Sequence, residues 1–389
     1  MSAKKMTVLS ILPSYIASTV INVDIPLRKL AEADVIHYQS RLEHTVKLND
    51  VADADIIVLC RNVNALYHPI YELATKLEIP IIYVLDDDIM GAPKGGRAYH
   101  YHNQKRRINQ YHWLLDHSSL IRVHSPTLQE TIHESTKTPT SLVWAPVPWD
   151  LTPPTLPDLQ EPYKLVYAAT AETGDQVFSY MEADLHKILK KYPQKIEMHF
   201  MGYIPEGFEE YKNVKHIPFE KDYESFFHKF TRSGFAIGFA PMIDSKFHKS
   251  KTDVKYRDYA AAGAVGIYMS SELYNASVID GKTGLIVSGE EGSWIQAIER
   301  LILDPDLMQQ LRKQARDAVH EKYHMDVVGA MWLEDFAKLP QRPPLSAEGR
   351  QLLRQSNWDL FIGARQMQLS ITKRFPKPLK EMIKRTLGM

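Results

Sequence analysis

The chain has 389 residues, of which 44% are hydrophobic and 24% charged, a composition typical of a globular protein with two or more domains. Lysines plus arginines number 47, as do aspartates plus glutamates, so no overall positive field for nucleic acid exists. A single cysteine, Cys60, excludes an internal disulfide and fits a reducing compartment. No segment approaches the ~20 consecutive apolar residues of a membrane span.

Short apolar runs alternate with helical segments through the first 150 residues. The runs lack apolar–polar alternation, which is typical of strands in a parallel sheet covered on both faces. Residues 1–150 are therefore expected to form a Rossmann-like α/β domain. Strands are predicted at Thr7–Leu12, Asp55–Cys60, Pro80–Leu85, Leu120–His124 and Ser141–Trp144. Helices are predicted at Ile25–Ala33, Tyr67–Leu77, Asn103–His117 and Thr127–Ser135.

A second α/β series follows a proline-dense segment. Residues 151–163 are the predicted linker, because proline breaks helices and cannot donate to a strand ladder. Residues 164–339 are expected to form a second Rossmann-like domain that faces the first across a cleft. Its strands are predicted at Leu165–Ala169, Ile196–Met201, Val214–Ile217, Phe235–Ala240 and Ala264–Met269. Its helices are predicted at Gln176–Lys191, Tyr223–Thr231, Lys251–Ala262, Ser293–Leu303 and Pro305–Tyr323.

Residues 340–389 are expected to form a second linker and a C-terminal helical tail. A helix is predicted at Ser346–Gln366, with Ser346 as its N-cap and Glu348 in its first turn. The final stretch, Thr372–Met389, is basic and places apolar residues on one helical face. Two interpretations stay open for it: a solvated helix that packs on the body of the protein, and a helix that lies in a membrane interface.

The most informative stretch is Phe235–Met269, in which a buried strand, a polar loop, a helix and a second strand follow in order. Ligands of parallel α/β sheets bind outside the carboxyl ends of the strands, where this loop and helix start are expected to lie. The predicted helix carries Lys251 and Lys255 four residues apart, and Asp258 about one turn further on. Two ammonium groups near a helix N-terminus suit a diphosphate, and a nearby carboxylate suits ribose hydroxyls. The pattern therefore indicates a nucleotide-sugar site.

The spacing A-P-x-x-D-x-x-F-x-x-x-K-T-x-x-K-x-x-D-Y-x-A-x-G is followed by Tyr274 and by D-G-K-T-G-L-I-V at Asp280–Val287. Together these motifs resemble the donor domain of GT-B glycosyltransferases, nearest to family 4 and its bacterial O-antigen and capsule group. The resemblance covers Tyr163–Trp332 well and the first half more weakly. It implies the GT-B fold and transfer of a sugar from a nucleotide-diphosphate sugar to a glycan or lipid-linked acceptor, with retention of anomeric configuration.

The resemblance also implies roles for single residues on the donor side. Lys251 and Lys255 would hold the diphosphate and act in catalysis. The first acid of the family's two-glutamate motif falls on Ser250, so Asp244 or His248 is expected to contact the sugar instead. The loop after the first strand of the donor domain lacks the basic pair usual in family 4. Thr170, Thr173 and the backbone N–H groups near Gly174 are the candidate phosphate contacts of that loop instead. The resemblance further implies Asp258 on the ribose, and Tyr274 and Thr283 near the nucleoside.

Three acids, Asp86 to Asp88, follow a predicted strand of the first domain. They are open to three interpretations: acceptor-side residues (Asp87 and Asp88), the Asp-x-Asp metal motif of the GT-A fold, or caps for the next segment. Arg61 follows another strand and is expected to face the cleft. His100 and His102 lie in a Gly- and His-rich loop and are candidate acceptor contacts.

The favoured interpretation is a glycosyltransferase of surface polysaccharide synthesis that needs no metal or other cofactor. It would be cytoplasmic, or peripheral at the inner face of the membrane, with no nucleic-acid partner. Two alternatives stay open. In the first alternative, the chain is a non-catalytic GT-B protein that binds a nucleotide sugar or serves as a scaffold, as the missing basic pair suggests. In the second alternative, the chain is a metal-dependent GT-A-like enzyme centred on Asp86–Asp88.

Overall fold

The computed structural model describes residues 5–170 and 177–373, with side chains up to residue 367. Two six-stranded sheets form the frame, and every strand pairing within them is parallel. The fold is therefore α/β with two sheet domains, as predicted from the alternation of strands and helices.

The first sheet has the strand order β2-β1-β3-β4-β5-β6. Its strands β3, β4 and β5 are buried along their whole length, which explains why their sequences are continuous apolar runs. All five predicted strands are confirmed to within two residues, but the edge strand β2 was missed because its sequence HYQSRL is polar and half exposed. The strands are β1 (Thr7–Leu12), β2 (His37–Leu42), β3 (Ile56–Cys60), β4 (Ile81–Leu85), β5 (Leu120–Val123) and β6 (Thr140–Leu142).

The second sheet has the strand order β12-β11-β10-β7-β8-β9. All five predicted strands are confirmed, and the three-residue edge strand β12 was missed inside the motif D-G-K-T-G-L-I-V. The strands are β7 (Tyr163–Ala169), β8 (Ile196–Gly202), β9 (Val214–Ile217), β10 (Phe235–Ala240), β11 (Val265–Met269) and β12 (Leu285–Val287).

Helices cover both faces of each sheet. Around the first sheet they lie at Ala17–Thr19, Val20–Asp24 (a π-helix), Ile25–Glu32, Leu48–Asp53, His68–Lys76, Arg97–His102, Lys105–His117 and Pro126–Ser135. Around the second they lie at Glu182–Lys191, Tyr223–Arg232, Lys246–Lys249, Val254–Ala262, Glu272–Ser277, Ser293–Ile302 and Pro305–Tyr323. Single 3-10 turns lie at Ala65–Tyr67 and Trp149–Leu151. The helix predicted from Gln176 begins at Glu182, and Gln176 itself lies outside the described residues.

The chain returns to the first domain after the second sheet is complete. Helix Met325–Lys338 packs Val328, Trp332 and Phe336 into the core under β1, β3 and β4. This differs from the predicted domain boundary at 339, which assigns the helix to the second domain. A sequence boundary drawn at the next proline cannot show which core an amphipathic helix joins.

The C-terminal tail contains two helices where one was predicted, Ala347–Gln355 and Trp358–Lys373. The predicted N-cap is confirmed, because the Ser346 hydroxyl accepts a 2.9 Å hydrogen bond from the Gly349 N–H. Trp358 is buried and its indole N–H donates to the Val46 carbonyl at 2.9 Å, which fixes the second helix to the first domain. Beyond Lys373, the segment predicted as a basic amphipathic helix lies outside the described residues. None of the helices described is both long and apolar enough to cross a bilayer.

Candidate functional site

The carboxyl ends of the two sheets face each other, and loops from both domains meet there. Ser250, in the loop after β10, has no exposed surface. Its hydroxyl accepts from the backbone N–H of Asp88 at 3.3 Å, and its carbonyl accepts from the Ser125 hydroxyl at 2.8 Å. Asp88 follows β4 and Ser125 follows β5. The position that the resemblance assigns to an acid is therefore a hydrogen-bonded contact between the domains.

Lys251 lies before the helix that was predicted to contain it. The helix begins at Val254, because residues 250–253 form a bend after the short helix Lys246–Lys249. Lys251 and Lys255 therefore do not share a helical face in the predicted manner. The Lys251 ammonium lies 3.4 Å from a carboxylate oxygen of Asp87 and over the ring of Phe247, so it faces the first domain.

Lys255 faces the first strand of its own sheet. Its ammonium donates to the Ala168 carbonyl at 2.5 Å, at the carboxyl end of β7. The rings of Tyr167 and Tyr259 flank it, with centroids 5.3 and 5.9 Å from the nitrogen. Burial lowers the pKa of Lys255 to about 8, although the charge of Asp258 acts in the opposite direction. This lysine therefore places a cation at the end of β7, the strand whose following loop has no arginine or lysine.

Asp258 lies one helical turn beyond Lys255 and is half-buried. Burial raises its pKa to about 7, against the opposing charges of Arg257 and Lys255. A carboxyl group with a pKa near neutrality donates or accepts a hydrogen bond depending on pH, which suits contact with hydroxyl groups.

A cavity of about 600 Å³ opens beside these residues, between the first loop of the first domain and the strand ends of the second. Val254, the first residue of the lysine-bearing helix, lines it. Thr170 lines it at the end of β7, whereas Thr173 and Gly174 lie outside the described residues. The other lining residues are Ile16, Ala17, Ile21, Ala168, Ala169, Met201, Gly202, Pro218, Phe219, Glu220, Lys221, Tyr223 and Phe226.

The start of helix Val254–Ala262 has no side-chain cap. Its N-cap residue, Asp253, instead accepts hydrogen bonds from the hydroxyls of Ser277 (2.8 Å) and Tyr323 and pairs with Arg257 at 3.2 Å. The helix is thus anchored, and among the described residues no side chain accepts from its first backbone N–H groups. Such a helix start beside a cavity favours an anionic ligand.

Three other predicted donor-side residues lie away from the cavity lining. Tyr274 is buried with its ring 4.8 Å from that of Tyr268, inside the core of the second domain. Thr283 is also buried, and its hydroxyl accepts from the Ile279 N–H at 2.9 Å to close a turn. Asp244 is exposed and pairs with Lys249 at 3.1 Å. Among the described residues, Lys255 and Asp258 do not line the cavity either, but Lys255 donates to the carbonyl of Ala168, which does line it.

On the first domain, the structure brings Arg61, Asp87 and His102 into one cluster next to Lys251. Arg61 is a non-glycine residue with φ of 57°, a backbone conformation that costs free energy and is frequent at functional sites. Its guanidinium pairs with Asp86 and, at 2.7 Å, with Asp87. Burial lowers the pKa of His102 to about 4, and the charge of Arg61 adds to this effect.

The two remaining acceptor-side candidates have different settings. His100 is exposed on helix Arg97–His102. Asp88 accepts from the Gly91 N–H at 2.9 Å, which shapes the loop that follows. Arg61 forms ion pairs with Asp86 and Asp87. Within residues 5–170 and 177–373, no three His, Cys, Asp or Glu side chains are arranged so that they could bind a metal ion. The acids are therefore engaged by a cation of the chain itself.

Two residues at the domain contact were missed by the sequence reasoning. His124 follows β5 and is buried; burial lowers its pKa to about 3. Arg257 is buried and donates to the Ala145 carbonyl at 2.9 Å across the domain contact. The position of His124 directly after an apolar strand was the available signal, whereas nothing in the sequence marks Arg257.

Several solved structures with the same architecture are glycosyltransferases. Sucrose-phosphate synthase from Thermosynechococcus elongatus has a TM-score of 0.60 at 14% identity, over 86% of this chain and 99% of that one. Anabaena HepE in complex with UDP-glucose has a TM-score of 0.58 at 12% identity, over 86% and 100% of the two chains. A glycosyltransferase from Rickettsia africae has a TM-score of 0.56 at 12% identity, over 86% and 98%. No protein-family model and no curated protein sequence matches the chain. At such identities the likeness shows the fold, which is the two-domain GT-B fold.

Proposed function

We propose that this chain is a glycosyltransferase that moves a sugar from a nucleotide-diphosphate sugar to a glycan or lipid-linked acceptor. The observation that carries the proposal is the placement of Lys255 at the carboxyl end of β7, beside a cavity of about 600 Å³ and an uncapped helix start. No carboxylate among the described residues pairs with this half-buried ammonium, so its burial is costly, and an anionic ligand would offset that cost.

The nucleoside would occupy the cavity, whose lining is mainly apolar and includes the exposed ring of Phe219. The diphosphate would lie toward Lys255 and the first N–H groups of the helix that begins at Val254, with Asp258 near the ribose. The UDP-glucose complex of HepE supports a uridine nucleotide as the first donor to test.

The chemical argument concerns the leaving group. As the glycosidic bond breaks, negative charge accumulates on the departing diphosphate. Fixed cations and helix N–H groups then interact more strongly with the transition state than with the bound donor. Lys255, and Lys251 once it is released from Asp87, would supply those cations, so that no metal is needed. The acceptor would enter beside Arg61, Asp87 and His102, and retention of configuration follows from the family 4 resemblance.

A role in surface polysaccharide synthesis, including O-antigen or capsule, belongs to the same proposal. So do a location at the inner face of the membrane and contact with it through the basic C-terminal sequence. The second candidate is a non-catalytic protein that binds a nucleotide sugar. Ser250 favours it, because a residue buried in a domain contact stands where the family places an acid.

A panel of nucleotide sugars tests the proposal by calorimetry and by donor hydrolysis. We expect one donor to bind, and Lys251→Ala to weaken that binding while Lys282→Ala, an exposed lysine of the same domain, leaves it unchanged. Donor binding without hydrolysis or transfer to any acceptor would favour the non-catalytic candidate. Failure of every nucleotide sugar to bind would refute both.

A further inference from the structure

The backbone of Arg61 is left-handed at a place where that conformation is unusual. Among the described residues, three that are not glycine have a clearly positive φ: Asp34, Arg61 and Glu78. Asp34 and Glu78 are exposed and follow the ends of helices, where a left-handed residue is common. Arg61 instead follows the fully buried strand β3, and its φ of 57° costs free energy that the surrounding contacts must offset.

Asn62 holds Arg61 in this conformation through two hydrogen bonds. Its side-chain carbonyl accepts from the Cys60 N–H at 2.7 Å, a bond that spans Arg61. Its backbone carbonyl accepts from the Tyr83 hydroxyl at 2.9 Å. Asn62 and Tyr83 have no exposed surface, so water does not compete for these bonds. The residue after Arg61 is therefore fixed to both β3 and β4.

A buried carboxyl group determines which way the Asn62 amide faces. Because the Cys60 N–H can only donate, it takes Oδ1 of the amide and leaves Nδ2 to find an acceptor. Nδ2 donates to Oε1 of Glu43 at 2.8 Å, and the Tyr71 hydroxyl donates to the same oxygen at 2.6 Å. Glu43 directly follows β2, and Tyr71 lies on the first α-helix after β3. The Glu43 network comprises Glu43, Asn62, Tyr71 and Tyr83.

This network costs the fold more than an apolar contact at the same place would. Glu43 is 3% exposed, and within the described residues no ion pair joins it to a cation. Burial raises its pKa to about 7, against the hydrogen bonds from Tyr71 and Asn62 and the charge of Arg107. Apolar side chains of similar size would cover these strand ends without burying a carboxyl group. The buried acid and the strained backbone both lie directly behind the side chain of Arg61.

The guanidinium of Arg61 lies on the acceptor side of the cleft. It pairs with Asp86 and, at 2.7 Å, with Asp87. Asp87 also lies 3.4 Å from the ammonium of Lys251 in the second domain. A change of Arg61 to an ordinary negative φ would redirect its Cβ and carry the guanidinium away from both acids. The ion cluster at the cleft therefore depends on the backbone conformation of one residue.

We propose that the Glu43 network positions the Arg61 guanidinium for the acceptor, which makes Glu43 and Asn62 positioning residues of the reaction. The inference deepens the proposed function and rests on it for the acceptor, whereas the position of Arg61 is measurable without any substrate. None of the four network residues lines the cavity assigned to the donor. Disturbing the network should therefore affect the acceptor more than the donor.

Nuclear magnetic resonance of the full chain with isotope-labelled arginine tests the positioning. The Nε–H resonance of Arg61, assigned by its absence in Arg61→Lys, reports the ion pair with Asp86. We expect Glu43→Met to shift or broaden this resonance, because it removes the oxygen that holds the Asn62 amide. Glu43→Gln should leave the resonance unchanged, since glutamine retains an accepting oxygen.

Two milder variants separate positioning from loss of folding. Tyr83→Phe removes one hydroxyl and keeps the ring, so the fold should be retained while the Arg61 resonance shifts. Tyr38→Phe is the matched control. It removes a hydroxyl that bonds to Ser10 at 2.8 Å on the edge strand β2, outside the Glu43 network, and should leave the resonance unchanged.

Initial rates test the part of the proposal that concerns the acceptor, with UDP-glucose as donor probe and octyl glycosides as acceptor probes. Tyr83→Phe should raise the acceptor KM roughly tenfold and the donor KM less, because small displacements of a binding group are costly. Tyr38→Phe should change neither value. In an Arg61→Ala background, Tyr83→Phe should change the acceptor KM by less than about twofold, since the network acts through Arg61.

Two results would overturn the proposal. An unchanged Arg61 resonance in both Glu43→Met and Tyr83→Phe would refute the positioning. Equal increases in the two KM values, or a full effect of Tyr83→Phe in the Arg61→Ala background, would make the network purely structural. Absence of transfer by the wild-type chain, with the resonance shifted as expected, would support the positioning of Arg61 and count against the proposed function.

Discussion

Replacing Lys255 with methionine should separate the cost of this residue to the fold from its contribution to ligand binding. The ammonium lies between two tyrosine rings and donates to the Ala168 carbonyl. Within the described residues, no ion pair joins it to a carboxylate. Methionine preserves most of the volume of the side chain and removes the charge. The variant therefore tests whether a half-buried cation is retained for binding at the expense of stability.

The free-energy cost of burying the Lys255 ammonium follows from its pKa, which burial lowers from its ordinary value of 10.5 to about 8. Below pH 8 the ammonium is charged in both the folded and the unfolded chain, so the fold bears the full cost of burying it. The cost declines as pH rises from 8 and is gone above 10.5. At 1.36 kcal/mol per pKa unit the upper limit is about 3 kcal/mol, and partial exposure reduces it to about 1–2 kcal/mol.

Removing the charge in Lys255→Met removes this cost and so stabilises the fold. Loss of the hydrogen bond to Ala168 offsets about 1 kcal/mol of that stabilisation. We therefore expect Lys255→Met to melt at or above the wild-type temperature at pH 7, with a relative advantage that shrinks between pH 8 and 10.5. Affinity for the nucleotide sugar should fall by about 1.5–3 kcal/mol, or roughly 10- to 150-fold, since a charge-assisted contact to phosphate is removed.

Scanning fluorimetry across pH and calorimetric titration with the donor measure the two quantities, and Lys212→Met is the matched control on the same domain. Wild-type donor affinity in Lys255→Met would refute the diphosphate assignment. A melting temperature several degrees lower, with affinity intact, would make Lys255 a structural residue of the β7 terminus.

Three further predictions concern other parts of the molecule. Asp258→Asn should raise the donor KM less than Asp258→Ala, because Asn keeps an acceptor oxygen. Burial raises the pKa of Asp258 from 3.8 to about 7, so ionisation of this carboxyl group lowers stability progressively as pH rises through that range. The melting temperature of Asp258→Asn relative to wild type should therefore increase between pH 4 and 7. Asp335→Ala should lower the free energy of unfolding by about 3–5 kcal/mol in a denaturant titration, because it leaves the fully buried Arg122 unpaired. Transfer should survive a chelator; loss of activity that manganese restores would return Asp86–Asp88 to consideration as a metal site.

The central strands were the clearest in the sequence because they are buried on both faces, although the half-exposed edge strands β6 and β9 were also predicted. Strand β4 is buried at every residue, so its sequence IIYVL is unambiguous. The missed strands β2 and β12 are edge strands, one polar and one only three residues long, and edge strands lack the two-sided burial that makes a run apolar. The return of helix Met325–Lys338 to the first domain depends on long-range packing, which local patterns do not encode.

The grouping of some candidate residues could be predicted from the sequence, but their detailed placement could not. Strand ends pointed to Arg61, Asp87 and Lys251, and the structure brings these three together. Helical spacing misplaced Lys251, because the bend before Val254 delays the helix by three residues. Tyr274 was selected by motif alone, and the motif does not distinguish a core tyrosine from one that lines a cavity.

Ser250 shows why one departure from the family pattern is physically consistent with the rest of the site. A glutamate at this fully buried position would bring a carboxylate against the Asp88 backbone, beside the charges of Asp86 and Asp87. Burying another acid there without a partner cation would cost several kcal/mol. Arg61 already forms ion pairs with Asp86 and Asp87, and Lys251 also pairs with Asp87. A serine hydroxyl fills the position without charge and joins the domains. A serine at position 250 therefore fits beside the ion cluster around Arg61 at a lower electrostatic cost than an acid would.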